Sequence, residues 1–236
     1  MACQYRKMTK MDSAQKTIAA VREMSDSCIV FCSLGKDSIV TLDLVYGKFE
    51  RIVCVFMYFV QGLEHIERWV RWVKVRYPGV EFMQVPHWCL SYVLRSGLCC
   101  VPNPKVKLIK LADVVKAVRM KTGVEYVFLG MKKADGMNRR VMLMGYNDNI
   151  HNKLAYPLSD WTNKDVLAYM RHRKLPDPVR YSMKRPGGGC GIDLSCFLWL
   201  RKNFPQDLQK IYRTFPLSER ILWEYDNHKM REVEWI

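Results

Sequence analysis

Residues 27–47 read SCIVFCSLGKDSIVTLDLVYG: an apolar run of strand length, a short polar turn and a longer apolar run. The longer run ends at Gly47, and glycine is typical of the position that follows a helix. A turn between a strand and a helix directs several backbone N–H groups and the positive end of the helix dipole to one point. The stretch therefore predicts a strand–turn–helix unit whose turn can bind an anion.

The side chains of this turn suit a phosphate group. Ser33 and Ser38 add hydroxyl donors, and Lys36 adds a mobile positive charge. Gly35 permits close approach of the backbone. Asp37 is a carboxylate beside an expected anion, and a Mg²⁺ ion that bridges phosphates would explain its presence. The alternative is a solvated turn between two core elements.

Strand-like and helix-like segments alternate along much of the chain. Helical patterns cover residues 11–24, 62–79 and 110–123, strand patterns cover residues 51–59, 80–86 and 124–130, and residues 86–109 look irregular. This alternation predicts a parallel, doubly wound α/β sheet with helices on both faces. Ligands of such sheets bind beyond the carboxyl ends of the strands, where the turn at residues 33–38 is expected.

The composition indicates a basic protein with one sizeable core. Its 236 residues include 38 lysines and arginines against 23 acidic residues, a formal net charge of +15. Such a surface attracts anions, including nucleotides, sulfate-like groups and nucleic acid. The longest apolar stretches, such as residues 52–60, are about half as long as a membrane-spanning helix, and the first residues do not resemble a signal peptide. We expect a cytoplasmic homo-oligomer without a membrane span.

Three segments in chain order resemble one enzyme family. SLGKDS at residues 33–38 resembles the Ser-Gly-Gly-x-Asp-Ser motif of pyrophosphatase-loop nucleotide enzymes, with Leu34 in place of the first glycine. GMKKADGMNR at residues 130–139 is similar to the Gly-x-Arg-x-x-Glu-Ser-x-x-Arg segment of the phosphoadenylyl-sulfate (PAPS) reductase family. Residues 156–181, which begin YPLSDWT, follow that family's Pro-hydrophobic-x-Asp-Trp-Thr pattern. The chain is identified as a divergent member, similar to phage, bacterial and DNA-phosphorothioation relatives.

The resemblance implies a Rossmann-like, adenine nucleotide alpha hydrolase-like sheet that binds ATP or an adenylyl-sulfate. Lys36 and Asp37 are then the catalytic candidates, and Asp37 would hold Mg²⁺ if the substrate is ATP. The expected phosphate-binding residues come from the turn and from the second matching segment: Ser33, Gly35, Lys36, Ser38, Lys132 and Arg139.

Basic residues in the second matching segment follow a predicted strand, so they should lie at the same sheet edge as the turn. We expect them to face phosphate or sulfate, although each one alone could be a solvated surface base: Lys132, Lys133, Arg139 and Arg140. In the third segment, Thr162 followed by Asp165 predicts a helix N-cap rather than a catalytic group.

The composition changes near Pro176, where proline, glycine and basic residues become frequent. Helical patterns follow at residues 193–204 and 216–230. We expect a nucleotide-binding α/β domain at residues 1–175 and a small helical carboxyl-terminal lobe, with a glycine run and cysteines, at residues 176–236.

Four of the nine cysteines stand apart from strand-like runs: Cys99, Cys100, Cys190 and Cys196. Adjacent cysteines cannot easily bridge each other, so a shared metal or cluster is a natural use for the first pair. The iron–sulfur branch of the family has a Cys-Cys pair at about this place and a later Cys-x-x-Cys. Here Asp193 stands where the second cysteine of the later pair would fall. A four-cysteine iron–sulfur cluster, a zinc site and unligated thiols all remain open.

Two kinds of enzyme and one binding module fit the resemblance. Thioredoxin-dependent reductases of the family attack sulfur with a cysteine near the chain end, whereas the last cysteine here is Cys196. Cys190 or Cys196 would then have to act as the nucleophile. ATP pyrophosphatase activity coupled to sulfur transfer therefore competes with sulfonucleotide reduction, and either needs a sulfur or electron donor protein. The alternative is a nucleotide-dependent module that works with DNA or a DNA-associated partner.

Overall fold

A computed structural model of the chain describes residues 9–179, 181 and 190–228. In this part of the chain, six strands form one sheet: β1 (Ser27–Phe31), β2 (Arg51–Tyr58), β3 (Glu81–Pro86), β4 (Val127–Leu129), β5 (Ile150–His151) and β6 (Leu154–Ala155). The same residues form ten α-helices: α1 (Lys10–Met24), α2 (Lys36–Val45), α3 (Glu64–Arg76), α4 (Trp88–Ser96), α5 (Leu111–Thr122), α6 (Met137–Met144), α7 (Asn163–His172), α8 (Leu194–Asn203), α9 (Pro205–Thr214) and α10 (Glu219–His228). None of the described helices combines the length and the apolar content that crossing a membrane requires.

The sheet is mostly parallel and has the strand order β3-β2-β1-β4-β6-β5. β1 pairs in parallel with both β2 and β4, and β4 pairs in parallel with β6. The pairing of β5 with β6 is antiparallel. Helix α2 packs against β1 and β4, and α1 packs against β6. The predicted α/β fold class is confirmed.

The stretch at residues 27–47 folds as its sequence pattern predicts. Cys28, Ile29 and Val30 of β1 are fully buried, as expected for a parallel strand that is covered on both faces. Every residue of α2 from Ser38 to Val45 is buried as well. Because α2 is buried over this length, solvent reaches only its first two residues, Lys36 and Asp37, in part.

Two helix starts show how local hydrogen bonds set the element bounds. Thr162 caps α7 as predicted: its hydroxyl accepts from the backbone N–H of Asp165, and the Asp165 carboxylate accepts in return from the N–H of Thr162. α1 begins earlier than the predicted residue 11, because Thr9 and Asp12 form an equivalent reciprocal cap.

Three helices lie where the sequence analysis predicted none: α4, α6 and α9. α4 lies in the segment expected to be irregular; His87 Nδ1 accepts from the N–H of Cys89 at its start, and Gly97 ends it with a left-handed φ of 77°. α9 begins with Pro205 at its first position, where a missing N–H costs no hydrogen bond. That proline and the spacing of Leu208 and Ile211 were signals that could have predicted α9.

The chain divides into two compact units. Unit 1 takes in the described parts of Met1–Met57, Arg76–Val85 and Val115–Pro178, and unit 2 takes in those of Tyr58–Val75, Pro86–Val114 and Val179–Ile236. Unit 1 holds the sheet with α1, α2, α6 and α7. Unit 2 holds α4, α8, α9, α10 and nearly all of α3. A domain boundary between residues 175 and 176 stays a prediction, and residues 182–189, which include the glycine run, lie outside the described residues.

Candidate functional site

The β1–α2 turn (residues 33–38) gathers donor groups at a helix N-terminus. Gly35 precedes Lys36, the first residue of α2. The Ser38 hydroxyl donates to the Gly35 carbonyl oxygen at 2.9 Å and lies 3.3 Å from the Ser33 hydroxyl. Ser33 is exposed, whereas Ser38 is buried. Since the first N–H groups of a helix have no carbonyl partner within it, this turn presents a donor-rich surface that suits an anion.

Leu34 adopts a backbone conformation that normally favours glycine. Its φ is 61°, in the left-handed region, and its side chain is only 6% exposed. A left-handed backbone costs a residue with a Cβ atom about 1–2 kcal/mol. Glycine, which the resembling motif has at this position, would avoid that cost, and burial of the leucine side chain offsets it here.

Asp37 is held between two lysines. Its Oδ2 lies 2.6 Å from Lys36 Nζ, and its Oδ1 lies 2.7 Å from Lys132 Nζ. Lys132 also contacts Asp135 Oδ1 at 2.8 Å and is completely buried. The turn and the segment that follows β4, almost a hundred residues later, therefore meet through one buried ammonium group.

The close approach of these two segments depends on Gly130, the residue directly after β4. A Cβ atom at Gly130 would lie 3.0 Å from the backbone carbonyl group of Asp37 and 3.1 Å from Thr41 Oγ1. Contacts this short require the neighbouring backbone to move. A glycine here lets the end of β4 pack directly against the first turns of α2.

The remaining basic residues of the second segment point in different directions. Arg139 lies on α6 rather than in the expected loop, is about half exposed, and its Nη1 contacts Asp135 Oδ2 at 2.8 Å. Burial opposes ionisation of Asp135, but bonds from Lys132 and Arg139 hold its pKa below the usual range. Lys133 was expected to face the phosphates and instead pairs with Asp160 at 2.7 Å. Arg140 is exposed.

The β1–α2 turn lies at the topological switch point, where the strand order changes from one side of β1 to the other. The chain leaves β1 towards β2 on one side, while β4 and β6 lie on the other side of β1. The loops that follow β1 and β4 therefore both begin at this point, at the carboxyl ends of these two strands. In open α/β sheets this switch point is where ligands bind.

Comparison with known proteins gives the family. The sequence profile of the phosphoadenosine phosphosulfate reductase domain matches residues 27–182, which is more than half of the chain. The chain belongs to this family. Its members are nucleotide-binding sulfonucleotide enzymes, so the predicted resemblance is confirmed.

Individual relatives are distant. The chain is 28% identical over 178 residues to the adenosine 5′-phosphosulfate reductase of Geobacillus thermodenitrificans, an alignment that covers 72% of this chain and 74% of the relative. Adenosine 5′-phosphosulfate reductase 1 of Bacillus subtilis is 24% identical over 181 residues, with 70% and 72% coverage. Among solved structures, the PAPS reductase from Candida auris in its phosphate complex has a TM-score of 0.45 and 15% identity, and covers 70% of this chain and 81% of its own.

The described residues of this reductase-family chain show no assembled site for the metals expected from the sequence. Both oxygens of Asp37 contact lysine ammonium groups, so the carboxylate is not arranged to hold Mg²⁺. In the part of the chain that the structure describes, no three His, Cys, Asp or Glu side chains are grouped to hold a metal ion. The four cysteines expected to share an iron–sulfur cluster are therefore not assembled into one site, and the cluster stays a prediction.

The four cysteines occupy two separate environments within unit 2. Cys100 is buried, and its thiol lies 3.6 Å from the carbonyl oxygen of Val93. Cys99 has a left-handed φ of 62°. Cys190 Sγ and Cys196 Sγ lie 3.5 Å apart, and Cys196 is fully buried in the first turn of α8.

A histidine and an aspartate that the sequence analysis did not select lie beside Cys190 in unit 2. His65, near the start of α3, is 2% exposed, and its Nδ1 lies 2.7 Å from Asp207 Oδ2 in α9. The rings of Tyr181, Trp199 and Phe204 surround the imidazole at centroid distances of 5.9, 5.7 and 5.6 Å. A lone histidine in an amphipathic helix pattern gave no signal of this arrangement.

These contacts change the acidity of the groups involved. A hydrogen bond with Cys196 and the interaction with His65 lower the pKa of the Cys190 thiol to about 6, although burial opposes this change. The same hydrogen bond together with burial raises the pKa of Cys196. Burial disfavours the imidazolium, yet the interactions with Cys190 and Asp207 raise the pKa of His65.

Proposed function

We propose that this protein is a sulfonucleotide reductase that binds an adenosine phosphosulfate at the β1–α2 turn. The observation that carries this proposal is the 2.7 Å contact between Lys132 and Asp37, because it brings a second cationic segment against the turn at the switch point of the sheet. Membership of the reductase family, and similarity to proteins named adenosine 5′-phosphosulfate reductases, support this substrate class.

Lys36 is the residue that we expect to contact the substrate phosphate. Among the described residues, its ammonium group pairs with the carboxylate of the next residue, Asp37, and its side chain is 17% exposed. An arriving phosphate can therefore attract Lys36 away from Asp37 without disturbing the core. Lys132 is buried and keeps the charge of Asp37 balanced after this exchange.

The other proposed roles follow from position. The first N–H groups of α2 and the Ser33 hydroxyl hold phosphate oxygens, and Ser38 joins them when its hydroxyl turns from the Gly35 carbonyl to the anion. Gly35 lets the anion approach the backbone. Arg139, which is half exposed and anchored by Asp135, adds positive charge at the rim. Preorganised donors of this kind stabilise the negative charge that develops on the nucleotide when the bond between sulfur and the phosphate oxygen breaks.

Release of pyrophosphate from ATP, coupled to sulfur transfer, is the competing function. This ATP-dependent function requires Asp37 to hold Mg²⁺, whereas both oxygens of Asp37 are in contact with Lys36 and Lys132. A sulfonucleotide needs cations for its sulfate and phosphate and no free carboxylate. The ion pairs of Asp37 therefore favour the sulfonucleotide.

Binding measurements test the site. Calorimetric titration should show binding of adenosine 5′-phosphosulfate, and Lys36→Ala should weaken it about tenfold to hundredfold, the effect of losing one hydrogen bond to a charged group. Lys153→Ala is the matched control, since this lysine also pairs with a carboxylate, Glu125, in unit 1. Equal affinities in the two variants would contradict a role for Lys36.

Product analysis separates the two chemistries. With a dithiol reductant, the protein should release sulfite from adenosine 5′-phosphosulfate. Pyrophosphate release from ATP and Mg²⁺, without sulfite release from the sulfonucleotide, would replace this proposal with the ATP-dependent function.

A further inference from the structure

Helix α4 and the loop that follows it form a surface with many exposed apolar side chains, called here the α4–loop surface (residues 88–110). Fifteen large apolar or aromatic side chains of the described residues are exposed, and six of them lie in this segment of unit 2. The six are Trp88, Tyr92, Leu98, Val101, Leu108 and Ile109. Protein surfaces normally carry such residues singly, so their concentration in one segment indicates an interaction site.

Hydrogen bonds hold the loop against the helix. The N–H of Asn103 donates to the carbonyl oxygen of Leu94 at 2.9 Å. The N–H of Ile109 donates to the hydroxyl of Ser91, also at 2.9 Å. Because Leu94 and Ser91 lie one turn apart on α4, the loop runs back along the helix from its end towards its start. The helix and the loop therefore form one continuous surface.

This surface has positive charge and no acidic residue of its own. Residues 86–110 include no aspartate or glutamate. The lysine and arginine side chains of this segment are all exposed: Arg95, Lys105, Lys107 and Lys110. The next acid along the chain, Asp113, accepts from the backbone N–H of Lys110 at the start of α5. A second copy of the same surface would bring cations against cations, so the charge favours an anionic partner.

The aromatic rings at the start of α4 form a stack. The ring centroids of Phe59 and His87 are 4.6 Å apart with an interplanar angle of 20°, and those of His87 and Trp88 are 5.7 Å apart with an angle of 27°. Trp88, at one end of this stack, is 37% exposed, and Tyr92, one helical turn further along α4, is 61% exposed. Since contact with His87 fixes the plane of the Trp88 ring, another planar ring can extend the stack.

We propose that the α4–loop surface binds single-stranded nucleic acid, with bases stacked on Trp88 and Tyr92 and phosphates held by Arg95 and the three loop lysines. Four residues of a helix span about 6 Å, so the two rings can receive separate bases of one strand. Exposed rings accept any base, and a group of cations holds the sugar–phosphate backbone. The surface uses no residue of the β1–α2 turn. Failure of sulfonucleotide binding would therefore leave this proposal standing, and the reverse also holds.

An anionic lipid surface is the main alternative partner, because the exposed leucine, valine and isoleucine side chains of the loop would suit it. A lipid surface, however, places no requirement on the planes of aromatic rings. The ring stack that ends at Trp88 therefore favours a nucleic acid base over an acyl chain.

Fluorescence anisotropy with labelled oligo(dT) and oligo(U) strands of about twelve nucleotides measures the binding. The full-length protein should bind at least one of these strands at low salt, and the tighter of the two identifies DNA or RNA as the polymer. The logarithm of Kd should rise with the logarithm of the salt concentration with a slope of about 3, from four phosphate contacts. Lys36→Ala, which removes a cation of the β1–α2 turn, should bind the strand as the wild type does.

Tyr92→Ala should weaken binding about fivefold to 150-fold, the effect of losing one stacked base, whereas Tyr92→Phe keeps the ring and should bind as the wild type does. The matched control is Trp223→Ala, which removes another exposed aromatic side chain of unit 2 and should not change the affinity. Lys107→Gln should lower the salt slope by about 0.7. Lys202→Gln, which changes an exposed lysine of α8, should leave the slope unchanged.

Several results would overturn the proposal. They are a lack of binding to both strands at low salt, an affinity that does not depend on salt, an equal loss of affinity in Tyr92→Ala and Trp223→Ala, and tighter binding of a duplex than of either strand. Loss of strand binding in Lys36→Ala would place the strand at the β1–α2 turn instead. Binding to vesicles that contain anionic phospholipid, without binding to either strand, would identify the surface as a lipid-binding one.

Discussion

Charged side chains are stabilised differently in two regions: the β1–α2 turn with Lys132, and the Cys190–His65 cluster. At the turn, Asp37 and Asp135 are balanced by lysine and arginine side chains at 2.6–2.8 Å. In the cluster, one carboxylate and one imidazole are enclosed by aromatic rings, and backbone N–H groups supply the remaining donors. The first arrangement leaves a mobile cation for an anionic ligand, whereas the second fixes the orientation of a buried imidazole through its carboxylate partner.

The largest expected effect is at Lys132, the buried cation of the first region. Lys132→Met removes the shared partner of Asp37 and Asp135 and should lower the free energy of unfolding by about 3 kcal/mol, because two partly buried carboxylates lose a fully buried counter-charge. Denaturation in urea measures this change. The exposed Lys153→Met should cost less than about 1 kcal/mol, and a similarly small cost for Lys132→Met would mean that the turn does not depend on its buried cation.

Substitution of Asp207 provides the corresponding test in the second region. Asp207→Ala leaves two backbone N–H groups of α3 and His65 Nδ1 without their acceptor. The expected cost is about 2–3 kcal/mol of unfolding free energy, from a lost helix cap and unsatisfied buried donors. Asp226→Ala, which breaks an exposed pair with Arg201, is the control. If both variants lose the same stability, the fixed carboxylate has no special role in unit 2.

Acid titration should identify the ion-paired region by the direction in which its contribution to stability changes with pH. The folded-state pKa of Asp135 lies below its ordinary value, so its stabilising contribution is complete above about pH 4 and is lost as the pH falls through the folded pKa. The stability difference between the wild type and Asp135→Asn, measured by urea denaturation at several pH values, should be constant at neutral pH and shrink below about pH 4. A difference that grows on acidification contradicts the ion-pair explanation.

The smallest effect concerns the strained backbone of the turn. At ordinary positions glycine is less stabilising than alanine, but at Leu34 the left-handed φ reverses this order. Leu34→Gly and Leu34→Ala both lose the buried leucine side chain, and only the alanine retains the strain. Leu34→Gly should therefore be more stable by about 1 kcal/mol. Thermal unfolding of both variants measures the difference, and a more stable alanine variant would indicate that the turn can relax.

The sequence predicted the features that depend on neighbouring residues. The apolar runs of β1 and α2, the cap formed by Thr162 with Asp165, and the alternation that gives a parallel sheet are all local patterns, and the structure contains each of them. α4, α6 and α9 were missed; the signals at the starts of α4 and α9, His87 and Pro205, are weak by themselves.

By itself, the sequence therefore determined the family, the α/β class and the donor groups of the β1–α2 turn, since these reside in contiguous residues. Only the tertiary structure decided that Lys132 balances Asp37, that Lys133 turns away to Asp160, and that His65 and Asp207 lie beside Cys190. Such contacts join segments that are far apart along the chain. Their geometry follows from strand order and helix packing, which no local pattern of residues specifies.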